Sequence, residues 1–190
     1  AEISREQVSP QERSTVDVFR HLFDYYLGLG YQFVSVDQVL RGLDPRGNHI
    51  LLSFDDGYAN NRRILPVLKE YRIPAVFFIA TGYVGADTAY WWDAVYRARM
   101  REGTWTTYSS AQRVAMHALL RTEAEARVRE DYGADALASV GELDRSMTEA
   151  ELRAFAQEGL VTIGNHTVDH TLLTTLPPDA IHAQIADAQN

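Results

Sequence analysis

Three short apolar runs limit what this chain can become. HILLSF (49–54), PAVFFIAT (74–81) and LVTIG (160–164) are nearly continuous in apolar residues and far shorter than the roughly 20 residues of a membrane span. Strict alternation would indicate a strand with one wet face, whereas a continuous run indicates a strand covered on both. Between the first two runs, NRRILPVLKEYR (61–72) has helical spacing that Pro66 interrupts. Strand, helix and strand, with the strands covered, predict a parallel sheet carrying helices on its faces. At 190 residues and 46% hydrophobic content the chain can bury one core of ordinary size, and it reads as a single globular unit.

The flanking segments fit that frame. From Ser14 to Leu29 the residues Val16, Phe19, Leu22, Phe23, Tyr26 and Leu27 recur at helical spacing, and Gly28 and Gly30 supply a stop. YQFVSV (31–36) reads as a strand and the DQVLRGL after it as a helical turn. Residues 83 to about 145 are aromatic at first and then rich in Ala, Arg and Glu. They predict a largely helical insertion, with Val114, Leu119 and Leu120 on one face. Thr148 and Glu151 form a capping box for a helix through Gln157 that Gly159 closes. PPDAIHAQIADAQN starts with prolines suited to a helix N-terminus and runs out without a cap, which predicts that Asn190 is not the natural end of a domain.

Charge and composition exclude several functions. The formal charge of −8 is spread along the chain, and no Lys/Arg cluster offers the basic stripe that nucleic acid or anionic lipid requires, so a neutral or cationic substrate suits it better. The absence of cysteine leaves any metal site to His, Asp and Glu, and is compatible with reducing and oxidising compartments alike. The first ten residues lack the apolar core of a signal peptide.

Two of the strands deliver polar groups at their C-terminal ends, the edge where sites form in parallel α/β folds. Phe54 is followed by Asp55, Asp56 and Gly57, and neighbouring side chains in extended backbone diverge, so one carboxylate can bind a metal while the other faces water. LVTIG is followed by His166 and His170, whose spacing places both imidazoles on one side of a helical or tightly wound turn, about 5–6 Å apart at Cβ. That separation suits bonds of about 2.0–2.1 Å to one zinc ion, with a fourth position left for water. Alone, Asp-Asp-Gly more often shapes a turn through Asx hydrogen bonds, and two histidines often merely line a loop. Together, after two covered strands, they supply complementary ligands.

LLSFDDGY with IGNHTVDHTLLTTL resembles the polysaccharide deacetylases, the NodB-homology or family 4 carbohydrate esterases. Their first motif is FDDG after a strand, and their second, H-S/T-x-x-H, is matched by His166, Thr167 and His170. PVLKEYRIPAVFFIATGYVG and YWWDAVYRA are similar to bacterial members found with glycan-synthesis genes. The resemblance covers about residues 15–185. It implies an α/β fold, a distorted (β/α) barrel with fewer than eight strands, of which residues 1–190 hold the N-terminal and central part with the insertion at about 83–145. It implies a hydrolase that removes N-acetyl groups from N-acetylglucosamine-type units of a polysaccharide or glycan precursor. Asp56, His166 and His170 would hold a divalent metal, zinc before others, with Asp55 as general base and Thr167 bracing the loop.

The family's later motifs are an Arg-x-Pro-Tyr-like loop, a partner that orients the base and a histidine acting as acid. They map onto no residue present and are expected beyond Asn190, so the 190 residues alone are expected to bind metal weakly and turn over no substrate. A polysaccharide O-acetyl esterase and a non-catalytic sugar-binding relative share the same two motifs and stay open.

The remaining residues carry weaker expectations. Trp91 and Trp92 can stack on a sugar, although adjacent tryptophans more often divide between core and surface. Tyr58 and Asn60 either line a groove or start a helix. His21, His49, His117 and His182 have no partner in the sequence, and the Arg/Glu-rich stretch from Arg113 to Asp131 reads as a solvated helical face.

Overall fold

The computed structural model describes residues 14–103 and 108–189. Helix α1 (Val16–Gly28) is capped by Thr15, whose hydroxyl accepts from the Val18 N–H, and is followed by Gly30 at φ 80°, as the glycine stop predicts. Strand β1 (Gln32–Phe33) and helix α2 (Val36–Arg41) come next, and β2 (His49–Ile50) pairs with β1 in parallel. Strand β3 (Leu52–Phe54), a 3-10 segment (Ala59–Ile64), helix α3 (Leu65–Tyr71) and strand β4 (Ala75–Ile79) form a strand-helix-strand unit. Helices α4 (Trp91–Arg101), α5 (Ser110–His117), α6 (Arg121–Tyr132) and α7 (Glu149–Ala156) lead to β5 (Val161–Asn165), and α8 (Pro178–Ala186) follows.

The two sheets are parallel, with orders β1-β2 and β3-β4-β5. Phe54, Phe77 and Ile163 share one row of the larger sheet, and the pairing runs on to Ile79 and Asn165. The C-terminal ends of β3 and β5 therefore open at the same edge. A closed barrel is not what these strands form among the described residues. No helix among them is long and apolar enough to cross a membrane.

Several sequence expectations need correction. HILLSF is two strands, because the ladder breaks at Leu51, which is 42% exposed, and the chain passes from one sheet to the other there. Of these runs, only β4 is buried along nearly its whole length, and it is also the central strand of its sheet. β5 has one neighbour among the described strands, and Ile163 is 39% exposed. Pro66 does not interrupt α3. It sits in the first turn, where a missing N–H costs nothing, after a 3-10 lead-in. In the insertion Val114 is exposed, and Leu119 and Leu120 fall between α5 and α6, so the expected single apolar face does not form.

The main core gathers around Phe77, which stacks on Phe54 (centroids 4.8 Å, planes 8° apart) and meets Phe155 edge-on at 4.7 Å. Such pairs add about 0.5–1.5 kcal/mol each to the area they bury. The insertion has its own small core of Trp91, Val95, Met116, Val128 and Leu137. A third cluster, Tyr58, Ala80, Tyr83 and Tyr90 with Trp92 against it, joins the two. Arg121 fastens the joint: it donates to the Gly82 carbonyl, pairs with Glu125 at 2.5 Å and lies 4.5 Å over the Tyr83 ring. The expected capping box is present at α7, with Thr148 N–H donating to Glu151 and Glu151 N–H to the Thr148 hydroxyl.

Candidate metal centre

The first half of the site is the turn that leaves β3. Asp56 has φ 73° and Gly57 has φ 89°; aspartate tolerates the left-handed region better than most residues, and a Cβ on Gly57 would come 3.1 Å from Ile79. The Asp56 carbonyl accepts from Ala80 N–H at 3.3 Å and from the Tyr90 hydroxyl at 2.6 Å, so the turn is tied to β4 and to the insertion. The two aspartates part as expected: Asp55 is exposed, while the Asp56 side chain keeps 17% of its surface.

The second half is the loop after β5. His166 N–H extends the ladder by donating to the Ile79 carbonyl at 3.0 Å, and the chain then winds tightly with Thr167 at φ 65° and His170 at φ 56°. The pair therefore sits on a wound loop and not on a helix. Thr167 N–H donates to the Asn165 side chain at 2.8 Å, and His170 N–H donates to the Thr167 hydroxyl at 3.0 Å. From the neighbouring turn, Thr81 N–H and Gly82 N–H donate to the Thr167 and Val168 carbonyls. A Cβ at Gly82 would lie 2.8 Å from the Val168 oxygen, so glycine is what permits this approach.

The two halves bring Asp56, His166 and His170 together, their donor atoms all within 4.8 Å of one another. Asp56 Oδ1 lies 3.1 Å from His170 Nε2 and 3.4 Å from His166 Nε2, and the two rings are 4.6 Å apart. Despite these distances, Asp56 Oδ1 is buried without a hydrogen-bond partner. Three donors converge without satisfying one another, which is what a shared cation resolves. Bonds of about 2.0–2.1 Å at tetrahedral angles place donors about 3.3 Å apart, so the two separations from Asp56 suit one zinc-sized ion. Burial pushes the Asp56 carboxyl up, but the two imidazoles outweigh it and bring it down to about 2. Contact with Asp56 holds His166 above its ordinary value against burial, with the Asp55 charge adding to the effect. Both directions describe an anionic ligand beside basic rings.

Other residues stand where sequence spacing could not place them. Trp91 belongs to the insertion core, while Trp92 turns to the site, its ring 4.9 Å from His170 and its indole N–H donating to the Tyr58 hydroxyl at 2.7 Å. Tyr58 donates in turn to buried Asp93 at 2.6 Å, so it is a structural link under the site and not a groove wall. His117 lies 5.5 Å from His170, ring to ring; burial and the neighbouring imidazole lower its basicity. Helices α6 and α7 and strand β5 lie between it and the motif, so no local spacing could reveal it.

A family model described as polysaccharide deacetylase matches residues 42–190. Among solved structures, the chain is similar to Streptococcus pyogenes deacetylase PplD in complex with acetate, at 18% identity and TM-score 0.47, covering 95% of this chain and 60% of that one. It is similar to the BpsB deacetylase domain of Bordetella bronchiseptica at 25% identity and TM-score 0.44, covering 79% and 43%. A de-N-acetylase from Aggregatibacter actinomycetemcomitans matches at 22% identity and TM-score 0.46, covering 81% and 45%. The chain thus spans less than two thirds of each of these three. A search of curated proteins finds no match.

Proposed function

The chain belongs to the polysaccharide deacetylase family, and from that premise we propose that it forms part of a metal-dependent hydrolase. The reaction is removal of N-acetyl groups from N-acetylglucosamine-type units of a polysaccharide or glycan precursor. The observation that carries this reading is the convergence of Asp56, His166 and His170, with a buried carboxylate oxygen left unpartnered among them. We assign residues 1–190 to one deacetylase unit of the distorted (β/α) barrel type, with the helical insertion at about 83–145.

Asp56 and the two histidines would hold the metal, most reasonably zinc given a carboxylate and two imidazoles. When bound, the metal polarises an acetamide carbonyl and makes a water acidic enough to lose its proton near neutral pH. Asp55 would take that proton. It is adjacent to a ligand, it is exposed, and its carboxylate makes no hydrogen bond or ion pair among the described residues, so an oxygen is open to a water. Thr167 braces the loop through its bond from His170 N–H. Trp92, against His170, shields that side of the site from bulk water.

Two measurements test the reading. The chain should bind one equivalent of zinc, and His166→Ala should abolish that binding. In the full-length protein, acetate release from N-acetylglucosamine oligomers should exceed release from acetylated xylan. The reverse preference would make it an O-acetyl esterase, and release from neither would leave a sugar-binding relative.

A further inference from the structure

The wound loop carrying both histidines has two ligand-side residues at positive φ, a backbone state that side chains rarely adopt unless neighbouring bonds hold it. His170 also lacks the usual anchor of a metal-binding imidazole, since its Nδ1 is buried without a hydrogen-bond partner. Its orientation must come from ring packing and from its backbone.

One side chain from outside the motif grips that backbone. Gln184, on α8 and only 8% exposed, accepts at Oε1 from Asp169 N–H (2.9 Å) and Val168 N–H (3.2 Å), and donates from Nε2 to Asp169 Oδ2 at 2.7 Å. Its own carbonyl accepts from Val168 N–H at 3.1 Å as well. The loop answers from its other end, where the Asn165 amide donates to the Ile185 carbonyl at 2.8 Å. Val168 thus keeps a backbone acceptor if the Gln184 side chain is removed, whereas the Asp169 N–H, next to His170, depends on Oε1.

We propose that Gln184 is a positioning residue for the metal centre, fixing the Val168–Asp169 peptide and through it the imidazole of His170. The inference rests on the metal-centre reading above. A glutamine is suited to the task because one group must accept from two N–H donors while another donates to a carboxylate, and an amide does both without burying a charge.

Zinc affinity of the full chain, measured by chelator competition at pH 8, and amide exchange at Asp169 test the proposal. Gln184→Ala should weaken zinc about 10-fold, at the lower end of what outer-shell partners contribute, and speed exchange at Asp169. Gln184→Glu should weaken zinc similarly, because it sets a carboxylate against that of Asp169. Combining it with Asp169→Asn exchanges donor and acceptor across the same contact, and should restore affinity to within about threefold with slow Asp169 exchange.

A residue that only packs α8 would not show this rescue. The proposal is overturned if the Gln184 variants bind zinc like wild type, or if the double variant stays as weak as Gln184→Glu. Should Gln184→Ala fail to fold, the comparison of Gln184→Glu with the double variant decides alone. His166→Ala separates the two levels of argument: if it keeps zinc, the metal reading itself fails, and if it loses zinc while Gln184 variants do not, only this inference fails.

Discussion

The Tyr90 hydroxyl donates to the backbone oxygen of Asp56 at 2.6 Å, so a residue at the cap of the first insertion helix holds the turn that presents the carboxylate. Tyr90 is fully buried, in contact with Tyr58, Tyr83 and Trp92, and the insertion is in this way part of the site's foundation.

Tyr90→Phe keeps the packing and deletes that bond. It should lower stability by about 1 kcal/mol, the net worth of a typical hydrogen bond, because Ala80 N–H still donates to the Asp56 oxygen. Zinc affinity should fall as well. Urea unfolding and zinc competition on the same variant check both, and a change in stability without a change in zinc would detach Tyr90 from the site.

The two aspartates should respond differently in the full-length protein. Asp56→Asn removes an anionic ligand, so zinc affinity should drop and excess zinc should recover part of the activity. Asp55→Asn should leave zinc bound while turnover falls by roughly 10²–10⁴, the usual contribution of a positioned general base. Equal and mild effects of both would return the pair to a turn-forming role, since asparagine makes the same Asx turn.

Gly82→Ala tests the approach of the two loops. The added Cβ would meet the Val168 carbonyl oxygen at 2.8 Å, and backbone on both sides must move. The expected outcome is a loss of about 1–3 kcal/mol, as in other overpacked sites, together with weaker zinc binding. Thermal unfolding with and without zinc reads both effects, and an unchanged zinc-induced rise in Tm would show that the loop shifts without cost to the ligands.

Acid should loosen the start of α7. The side-chain bond from Arg145 comes first among the influences that lower the Glu151 carboxyl from 4.5 to about 2, burial opposes it, and Thr148 N–H and Arg62 assist. A folded-state value below the unfolded one means that the contribution is complete above about 4.5 and is lost as the pH falls toward about 2. Glu151→Gln should therefore have a lower Tm than wild type near neutrality, with the gap closing across that window. A gap that stays constant with pH would assign the effect to the cap alone.

The local elements of this protein were legible in its sequence. Helix α1 with its glycine stop, the capping box at Thr148 and Glu151, the covered strand β4 and the close spacing of His166 and His170 depend on residues within a few positions of one another. For these, spacing and side-chain type are the physical cause. The strand ends that carry the ligands followed from the same runs of apolar residues.

Tertiary structure decided the rest. HILLSF divides between two sheets at Leu51, and β5 stays half exposed, because cover depends on which neighbours a strand has and a run of apolar letters does not say. Tyr90, Trp92 and His117 reach the site from the insertion, and Gln184 reaches it from α8. A side chain's own sequence sets what it can donate or accept. Which partner it finds across many intervening residues is set by the packing of whole helices against the sheet, through contacts that leave no period or spacing in the chain.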